Sequence, residues 1–380
     1  MSNPNPSLLI FIEYYLPGYK FGGPVQSVAN LVALLKGHYA ISIVTRDRDF
    51  GEPVAYPTIP VDQWVQQDGH LIRYVSPSRS STRHIWSLLR EKHYDFVYTN
   101  SLFADFTRQL LAIALFSGQK IIIAPRGELH PGALRLKGYK KKPYVWLTKR
   151  LFTDQLIWHA TDQEEQLAIR HHFTDYRVQY APVRYAPDTP KQLKIRGTYL
   201  KKPGVARFIF ISRLTQKKGI HFLLDLLTRY RKGQVVLDIF GPVVDADDWV
   251  RCEALLAKMP VNCKVTYRGA ISHELVNETL TEYDFFVLPT LGENFGHAIF
   301  ESLSAGIPVL ISDQTPWRHL AQQQAGWDLP LVETIWTKTM DDCVAMTDEV
   351  YQRWSKQAVE VPNAYVKDNK FEQSYLSLFS

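Results

Sequence analysis

The sequence predicts an α/β protein made of two doubly wound domains, and two observations on its 380 residues support that prediction. Short apolar runs alternate with amphipathic segments of helix length, a pattern typical of parallel β-α-β units. The alternation begins near the N-terminus and starts again in the second half of the chain. The chain is also too long for one ordinary hydrophobic core, so two domains are expected.

The individual elements follow from runs of apolar residues and from helical spacing. In the first half, strands are expected at Leu8–Ile12, Tyr39–Thr45, Leu71–Val75, Asp95–Tyr98 and Lys120–Ala124, and helices at Val25–Leu35 and Asp105–Phe116. In the second half, strands are expected at Arg207–Ser212, Val235–Phe240, Lys264–Tyr267, Phe285–Leu288 and Pro308–Ile311. The helices of that half are expected at Gly219–Tyr230, Trp249–Ala257, His273–Leu280 and Ala298–Ala305.

A stretch rich in proline and lysine, Tyr180–Gly204, separates the two halves. We therefore predict a first domain over residues 1–190 and a second over residues 191–365. Open α/β sheets bind ligands outside the carboxyl ends of their strands. If the two domains face each other, the cleft between them is the expected ligand site.

Composition and charge limit the classes of function. Hydrophobic residues make up 46% and charged residues 22%, which is ordinary for a soluble protein. The net charge of +6 fits phosphate-bearing ligands or an anionic membrane surface, and no nucleic-acid motif accompanies it, so no nucleic-acid partner is predicted.

Cysteine usage and the N-terminus predict the compartment. Cys252, Cys263 and Cys343 have no C-x-x-C spacing, which argues against a disulfide framework or a structural zinc site. Met1–Ser7 carries no Lys or Arg, so no signal peptide is expected, and no apolar run approaches the length of a membrane span. We expect a cytoplasmic protein, soluble or peripheral at the inner membrane face.

The segment Phe285–Gly306 carries the strongest signal. A strand F-F-V-L leads through the loop T-L-G-E-N-F-G into a helix, whose exposed N–H groups and dipole can bind phosphate. Gly292 and Gly296 let the backbone approach a ligand closely. Glu293 and Glu301 could each grip a hydroxyl-bearing part of an extended ligand. Alternatively, Glu293 only favours the helix N-terminus and Glu301 is a solvated helix residue.

Two further loops join a strand to a helix. In I-S-R-L-T-Q-K-K-G, Arg213 and Lys218 can point into one site and offset the charge of a diphosphate leaving group without a metal. The alternative is a basic surface loop. Gly22-Gly23 can cradle phosphate or sugar, although it is not a G-x-G-x-x-G fingerprint, and the alternative is an ordinary tight turn.

These motifs resemble a known enzyme family. E-N-F-G-H-A-I-F-E-S-L-S-A-G-I-P-V is similar to the E-x7-E motif of retaining glycosyltransferases with two facing Rossmann-like domains, the GT-B architecture, family 4. I-S-R-L-T-Q-K-K-G is similar to the family's G-R-L-x-x-x-K-G, and the Gly22-Gly23 loop also has a counterpart there. Asn294, His297 and Ser212 depart from the usual residues.

The resemblance implies roles in donor binding. Glu293 would contact the donor sugar, Glu301 the ribose, and the amides at Phe295–His297 the diphosphate. Arg213 and Lys218 would stabilise the leaving group, and Gly269 with Arg268 would approach the base through backbone groups. The donor-binding residues it implies are Gly22, Gly23, Arg213, Lys218, Gly241, Arg268, Gly269, Glu293, Asn294, Phe295, Gly296, His297 and Glu301.

The loop after Ile121–Ala124 would lie on the acceptor side. Many relatives have a histidine near the position of Arg126, facing the transferred sugar. His130 could take that role or be a solvated loop residue, and both interpretations stay open. The predicted acceptor-side residues are Asn100, Arg126, Glu128 and His130, of which Arg126 and His130 join Glu293, Arg213 and Lys218 as catalytic candidates.

The function implied is transfer of a sugar from a nucleotide-diphosphate sugar, with UDP as the guess, to a glycan or lipid-linked acceptor in surface polysaccharide synthesis. It would need no metal or other cofactor. The second domain would bind the nucleotide sugar and the first the acceptor, with a last helix of about residues 366–380 packing back on the first. The alternatives are a sugar-nucleotide epimerase of the same fold and an inactive sugar-nucleotide-binding protein.

Arg135–Phe152 interleaves seven Lys or Arg residues with aromatic ones. It is typical of an interfacial segment that contacts an anionic membrane, or of a surface helix whose aromatics face the core. Two other motifs are interpreted as helix caps: Asp247 or Asp248 in D-A-D-D, for a helix starting near Trp249, and Ser272 for the next helix.

Overall fold

The computed structural model describes residues 5–135, 138–152, 155–173, 183–185 and 200–380. The chain divides into two compact units: unit 1 comprises Met1–Thr189 with Lys370–Ser380, and unit 2 comprises Pro190–Asn369. The domain boundary predicted between residues 190 and 191 lies outside the described residues, as does most of the stretch Tyr180–Gly204.

Unit 1 is built on an eight-stranded sheet with β1 near its centre. Its strands are β1 (Ser7–Phe11), β2 (Ala40–Arg46), β3 (Trp64–Gln67), β4 (His70–Val75), β5 (Phe96–Asn100), β6 (Ile121–Ala124), β7 (Leu156–Ala160) and β8 (Val183–Tyr185). The order is β3-β4-β2-β1-β5-β6-β7-β8, and every neighbouring pair is parallel except β3 with β4. The sequence order therefore reverses between β1 and β5, which is the topological switch point of this sheet.

Helices cover the sheet of unit 1. They are α1 (Gly23–Leu35), α2 (Thr82–Glu91), α3 (Asp105–Ser117), α4 (Pro131–Arg135), α5 (Gly138–Leu151), α6 (Gln163–Phe173) and, from the end of the chain, α13 (Phe371–Leu378). The inward residues of α1 and α13 share one core cluster, while those of α2, α3 and α5 lie in another. The nearly continuous apolar sequence of β1 reflects burial by helices on both faces of a parallel sheet.

Unit 2 has a six-stranded, fully parallel sheet in the order β11-β10-β9-β12-β13-β14. Its strands are β9 (Val205–Ile211), β10 (Gln234–Phe240), β11 (Cys263–Gly269), β12 (Phe285–Leu288), β13 (Val309–Ser312) and β14 (Gly326–Leu329). Its helices are α7 (Ile220–Arg229), α8 (Ala246–Leu256), α9 (His273–Leu280), α10 (His297–Ser304), α11 (Glu333–Ala345) and α12 (Asp348–Asp368). This is the Rossmann strand order, with its switch point between β9 and β12.

The cap of α8 differs from the prediction. The helix begins at Ala246 rather than near Trp249, and the carboxylate of Asp245 accepts a hydrogen bond from the backbone N–H of Asp248 at 3.1 Å. The prediction that Asp247 or Asp248 caps this helix is therefore wrong, because both lie inside its first turn. Ser272 does occupy the N-cap position of α9, but its side chain makes no capping hydrogen bond.

Helix lengths and polarities also bear on membrane insertion. Within the described residues, no helix combines the length and the apolar character needed to cross a bilayer.

Candidate active site

The switch point of unit 2 brings the two strongest sequence motifs together. β9 and β12 are hydrogen-bonded neighbours, with Phe285 opposite Phe208 and Phe286 opposite Ile209. The loop after β9 carries Arg213 and Lys218, and the loop after β12 carries Glu293. Because parallel strands end at the same edge of a sheet, these side chains lie where open α/β sheets bind ligands.

The two loops are tied to each other by backbone contacts. The N–H of Leu291 donates to the carbonyl of Lys217 at 2.7 Å. Gly219, with φ of 71°, packs so closely that a Cβ there would lie 1.9 Å from the carbonyl oxygen of Pro289. Only glycine suits this position, since it tolerates both the left-handed backbone and the close approach.

A buried ion pair forms between the loops. The Nζ of Lys218 lies 2.5 Å from Oε1 of Glu293, and the two side chains are 15% and 11% exposed. The hydroxyl of Thr290 donates to the same oxygen at 3.0 Å. Burial acts to raise the pKa of Glu293, but the charge and hydrogen bond of Lys218 outweigh it and hold that pKa below its ordinary value. The carboxylate is therefore ionised at neutral pH.

Arg213 adds a second cation. Burial lowers the pKa of its guanidinium and the charge of Glu293 raises it. Arginine stays protonated in proteins, so the three groups Arg213, Lys218 and Glu293 together carry net positive charge. Such a cluster can hold an anionic group while offering one carboxylate to hydroxyls.

The start of α10 adds a helix N-terminus to this edge. Gly296, with φ of 83°, is the N-cap residue and has no side chain to cap the first turn. The carbonyl of Phe295 accepts a hydrogen bond from Nε1 of Trp317 at 2.6 Å, and the Phe295 ring packs against Phe300, Trp317 and Tyr365. His297, the first residue of α10, lies against the same ring. This aromatic cluster fixes the loop that leads into the helix N-terminus.

Glu301 is buried within α10. It is only 7% exposed, and its Oε1 lies 3.6 Å from Nδ1 of His273, the first residue of α9. The alternative that Glu301 is a solvated helix residue is therefore wrong. The role of Glu301 in ribose binding stays a prediction.

The ends of β9, β10 and β11 meet beside these loops. The N–H of Gly241 donates to the carbonyl of Gly269 at 2.8 Å, and a Cβ on Gly241 would lie 1.8 Å from the carbonyl oxygen of Ser212. The side chain of Arg268 is half exposed and pairs with Asp238 at 3.1 Å. Asp238 also accepts a hydrogen bond from the hydroxyl of Tyr283.

Unit 1 places the glycine loop where the sequence predicts it. Gly22 follows β1 as the N-cap residue of α1, with φ of 75°, and Gly23 is the first residue of that helix. The N–H of Gly22 donates to the carbonyl of Tyr19 at 3.0 Å. This position suits both a ligand loop and a tight turn.

Arg126 is held in place by two neighbours. It has a left-handed backbone, with φ of 55°, its Nε donates to Oδ1 of Asn100 at 2.8 Å, and its Nη2 donates to the hydroxyl of Tyr98 at 3.2 Å. The Tyr98 hydroxyl in turn lies 3.0 Å from Nδ1 of the buried His159. The predicted acceptor-side residues Arg126 and Asn100 are thus in direct contact.

Glu128 joins two loops of unit 1. Its oxygens accept hydrogen bonds from the hydroxyl of Ser101 at 2.6 Å and from the N–H groups of Leu102 and Phe103 at 2.6 and 3.3 Å. Burial raises the pKa of this carboxyl. His130 is half-buried, and its Nε2 is shielded from solvent without a hydrogen-bond partner among the described residues.

Sequence reasoning missed two residues at these sites. Thr290 and His273 contact the two predicted glutamates. Thr290 could have been found, since it is a polar residue two positions after a buried strand. His273 could not, because nothing in the sequence relates α9 to α10.

Comparison with known proteins identifies the class. Residues 191–327 match the family model described as glycosyl transferases group 1. The chain, with its two α/β units, has the two-domain GT-B fold of glycosyltransferases. The segment that carries Arg213, Lys218, Glu293 and Glu301 therefore lies within the part of the chain that is similar to group 1 glycosyl transferases.

Three individual proteins illustrate the similarity. An uncharacterized glycosyltransferase of Methanocaldococcus jannaschii is 25% identical over 158 residues, 41% of this chain and 38% of its own length. Sucrose-phosphate synthase of Thermosynechococcus elongatus superposes with a TM-score of 0.73 at 14% identity, over 98% of this chain and 97% of that one. HepE of Anabaena, solved with UDP-glucose, gives 0.71 at 14%, over 98% and 99%. The chain spans less than two fifths of the length of the curated relatives it matches.

Proposed function

We propose that the protein is a retaining glycosyltransferase that moves a sugar from a nucleotide-diphosphate sugar to a glycan or lipid-linked acceptor. The observation that carries this proposal is the cluster of Lys218, Glu293 and Arg213 at the switch point of unit 2. A sugar nucleotide has a diphosphate for the cations and hydroxyls for the carboxylate. The group 1 match covers this cluster, which supports transfer rather than binding alone.

The proposed reaction breaks the bond between the anomeric carbon and the diphosphate oxygen. Lys218, Arg213 and the N-terminus of α10 stabilise the negative charge that develops on the departing diphosphate. The acceptor hydroxyl forms the new bond on the same face of the sugar, and its proton passes to the leaving phosphate oxygen. Glu293 orients the sugar through its hydroxyls, and no protein nucleophile is required.

A UDP-sugar is the proposed donor. The support is the likeness in fold to HepE, which was solved with UDP-glucose, together with the sequence resemblance. A thermal-shift panel of UDP-, GDP-, ADP- and TDP-sugars tests this choice. A ligand at a hundredfold excess over its Kd stabilises a protein by about 2.7 kcal/mol, so the correct donor should raise the unfolding temperature clearly. A GDP-, ADP- or TDP-sugar giving the largest shift would replace UDP.

Product analysis separates transfer from the alternatives. We expect donor turnover that needs an acceptor and a product whose anomeric configuration, read by NMR, matches that of the donor. An epimerase would convert the donor without an acceptor, and a binding protein would leave it intact. Inversion at the anomeric carbon would overturn the retaining mechanism.

Metal independence is part of the proposal, because Lys218 and Arg213 supply positive charge to the leaving group. Activity measured after treatment with a chelator should equal that of the untreated protein. Activity that disappears with the chelator and returns with manganese would contradict the proposal.

We also propose that the protein works at an anionic membrane surface, where it would meet a lipid-linked acceptor in surface polysaccharide synthesis. The support is the outer face of α5, on which Tyr139 and Trp146 are 76% and 61% exposed beside the exposed Lys140 and Lys142. Tyr144 faces inward instead, donating to the carbonyl of Leu102 at 3.2 Å. An exposed face of cations and aromatic rings is typical of interfacial helices.

Vesicle co-sedimentation tests this face. Lys140→Ala with Lys142→Ala should reduce binding to anionic vesicles and leave donor binding unchanged. Lys141 is left unchanged in this variant, because its Nζ donates to the carbonyl of Ala133 at 2.7 Å. Undiminished sedimentation of the double variant would contradict the membrane role.

A further inference from the structure

Unit 1 contains a cavity of about 400 Å³ that none of the sequence motifs covers. It opens at the carboxyl ends of four strands, since Glu13 and Tyr14 follow β1, Arg46–Arg48 end and follow β2, Val75 ends β4, and Phe103–Asp105 follow β5. β1 and β5 are the strands at which the sheet order reverses. The cavity therefore lies at the switch point of unit 1 and has the size of a small-ligand site.

Arg46 is the centre of the polar wall. Its Nε lies 2.5 Å from Oε2 of Glu13, and its Nη2 lies 2.8 Å from Oδ2 of Asp105. The other oxygen of Glu13 accepts a hydrogen bond from the N–H of Phe106 at 2.9 Å. The Arg46 guanidinium also lies over the Phe106 ring, 5.4 Å from its centroid. These contacts hold three charged groups in a fixed arrangement at the cavity wall.

Arg48 is paired in the same way. Its Nε and Nη2 lie 2.8 and 3.3 Å from the two oxygens of Asp47, which is buried, and its Nη1 donates to the carbonyl of Pro53. Among the charged residues that line the cavity, three carboxylates therefore face two guanidinium groups. Arg108, outside the lining, pairs with Asp105 as well, so the carboxylate charges are matched by guanidinium charges. A phosphate or carboxylate ligand would find both lining arginines already engaged by carboxylates and would add unbalanced negative charge.

An uncharged, hydroxyl-rich ligand suits the same wall. Its hydroxyls can donate to the carboxylates and accept from the guanidinium groups without adding charge. Tyr14 contributes an aromatic ring and a phenol, and burial raises the pKa of that phenol, so its O–H remains a donor. Phe103 adds a second ring to the lining. Rings of this kind can cover the apolar C–H face of a sugar.

Aromatic contacts connect the cavity to the glycine loop. The Tyr14 ring packs against Phe21 at 5.0 Å and against Phe50 at 5.4 Å between centroids. Phe21 directly precedes Gly22, the N-cap residue of α1. The wall of the cavity and the loop proposed to contact the donor are therefore parts of one packed group.

We propose that this cavity is the subsite for an uncharged sugar residue of the acceptor. The inference rests on the proposed transferase function and adds the chemical class of the acceptor group: a neutral sugar rather than a phosphorylated or uronic one.

Ligand-observed NMR on the intact protein tests the assignment. The probes are methyl glycosides of glucose, galactose and mannose, with glucose 6-phosphate and methyl glucuronide as charged counterparts. We expect at least one neutral glycoside to bind more tightly than both charged probes. Asp105→Asn keeps the side-chain shape, removes one carboxylate and releases the guanidinium groups of Arg46 and Arg108 from it, so neutral binding should weaken about tenfold. The same change should improve glucose 6-phosphate binding.

Two controls make the outcome decisive. Glu164→Gln removes a charge from an exposed position in the first turn of α6 and should leave all binding unchanged. Tyr14→Leu serves as the second variant, removing the phenol without a change of charge, and should also weaken neutral binding. Unaltered thermal unfolding and an unaltered donor-induced shift show that a variant is folded with its donor site intact.

Three results would overturn the proposal: no neutral glycoside binds, the charged probes bind more tightly to the unchanged protein, or both variants bind the neutral glycoside as well as it does. If the protein binds a neutral glycoside but no sugar nucleotide, the transferase function fails while the cavity assignment stands. If it binds the donor but no neutral glycoside, only the cavity assignment fails.

Discussion

At the scale of single residues, the site of unit 2 depends on the ion pair between Lys218 and Glu293. Both side chains are largely buried, so each charge needs its partner. Thr290 adds a hydrogen bond to the same carboxylate oxygen. This pairing explains how a carboxylate can remain ionised beside the proposed sugar site.

Replacing Lys218 by Met should therefore change both chemistry and titration. Without the ammonium, the effect of burial on Glu293 is opposed by less positive charge, so the pKa of Glu293 should rise. We expect donor turnover to fall at least about a hundredfold, the scale seen when one electrostatic contact to a transition state is lost. Carbon-13 NMR titration of the glutamate carboxyls and steady-state kinetics measure the two effects. A Glu293 pKa that stays low would contradict the assigned pairing.

The same pairing predicts a dependence of stability on pH. Because the folded pKa of Glu293 lies below its unfolded value, the pair stabilises the fold above the unfolded pKa, and that stability is lost as pH falls through the folded pKa. The loss should begin below about pH 4.3, the ordinary glutamate value. Denaturant unfolding across this range should show a shallower acid loss in Glu293→Gln than in the unchanged protein. Equal acid slopes would count against the ion pair.

Glu301 gives a test of the ribose assignment. Its carboxylate lies in α10, the helix whose N-terminus is proposed to bind the diphosphate, and is buried beside His273. Glu301→Ala should erase the thermal shift produced by the donor sugar nucleotide. Glu278→Gln, on the exposed side of α9, is the matched control and should keep the full shift. An undiminished shift in Glu301→Ala would refute the ribose role.

At the scale of elements, the close approach of the loops after β9 and β12 depends on Gly219. Gly219→Ala must adopt a left-handed backbone and also place a methyl group 1.9 Å from the Pro289 carbonyl. We expect unfolding of unit 2 to become easier by about 2–3 kcal/mol, with weaker donor binding, because strain and displacement of the loop add.

Gly204→Ala is the control for this prediction. Gly204 has φ of 85° in the same unit, but a Cβ there would meet nothing within 4 Å. Its substitution should cost about 1 kcal/mol, the backbone strain alone. Denaturant unfolding of both variants gives the comparison. Equal losses of stability would mean that contact between the two loops contributes nothing.

At the scale of the whole molecule, the sequence predicts the elements better than their arrangement. The buried run Phe285–Leu288 reads as a strand because both faces are covered, whereas β3, W-V-Q-Q, is missed because an edge strand carries polar residues. The pairing of Lys218 with Glu293 joins residues far apart in the chain, and the family resemblance indicated only that both residues belong to one donor site. The cavity of unit 1 needs loops from four strands, so it follows from the strand order and not from any single motif.

The C-terminal helix α13 contributes to the stability of unit 1. Residues 370–380 leave unit 2 and complete the core of unit 1, where Tyr375, Leu378 and Phe379 are at most 1% exposed. Burying three such side chains contributes at most about 5–9 kcal/mol. Deleting Lys370–Ser380 should therefore destabilise unit 1 and leave unit 2 folded. Hydrogen exchange should quicken in β1 and β2, while β9 and β12 keep their protection. Glu372→Gln, an exposed change in the same helix, is the control and should have little effect. Unchanged hydrogen exchange in β1 after the deletion would contradict the dependence of unit 1 on this helix.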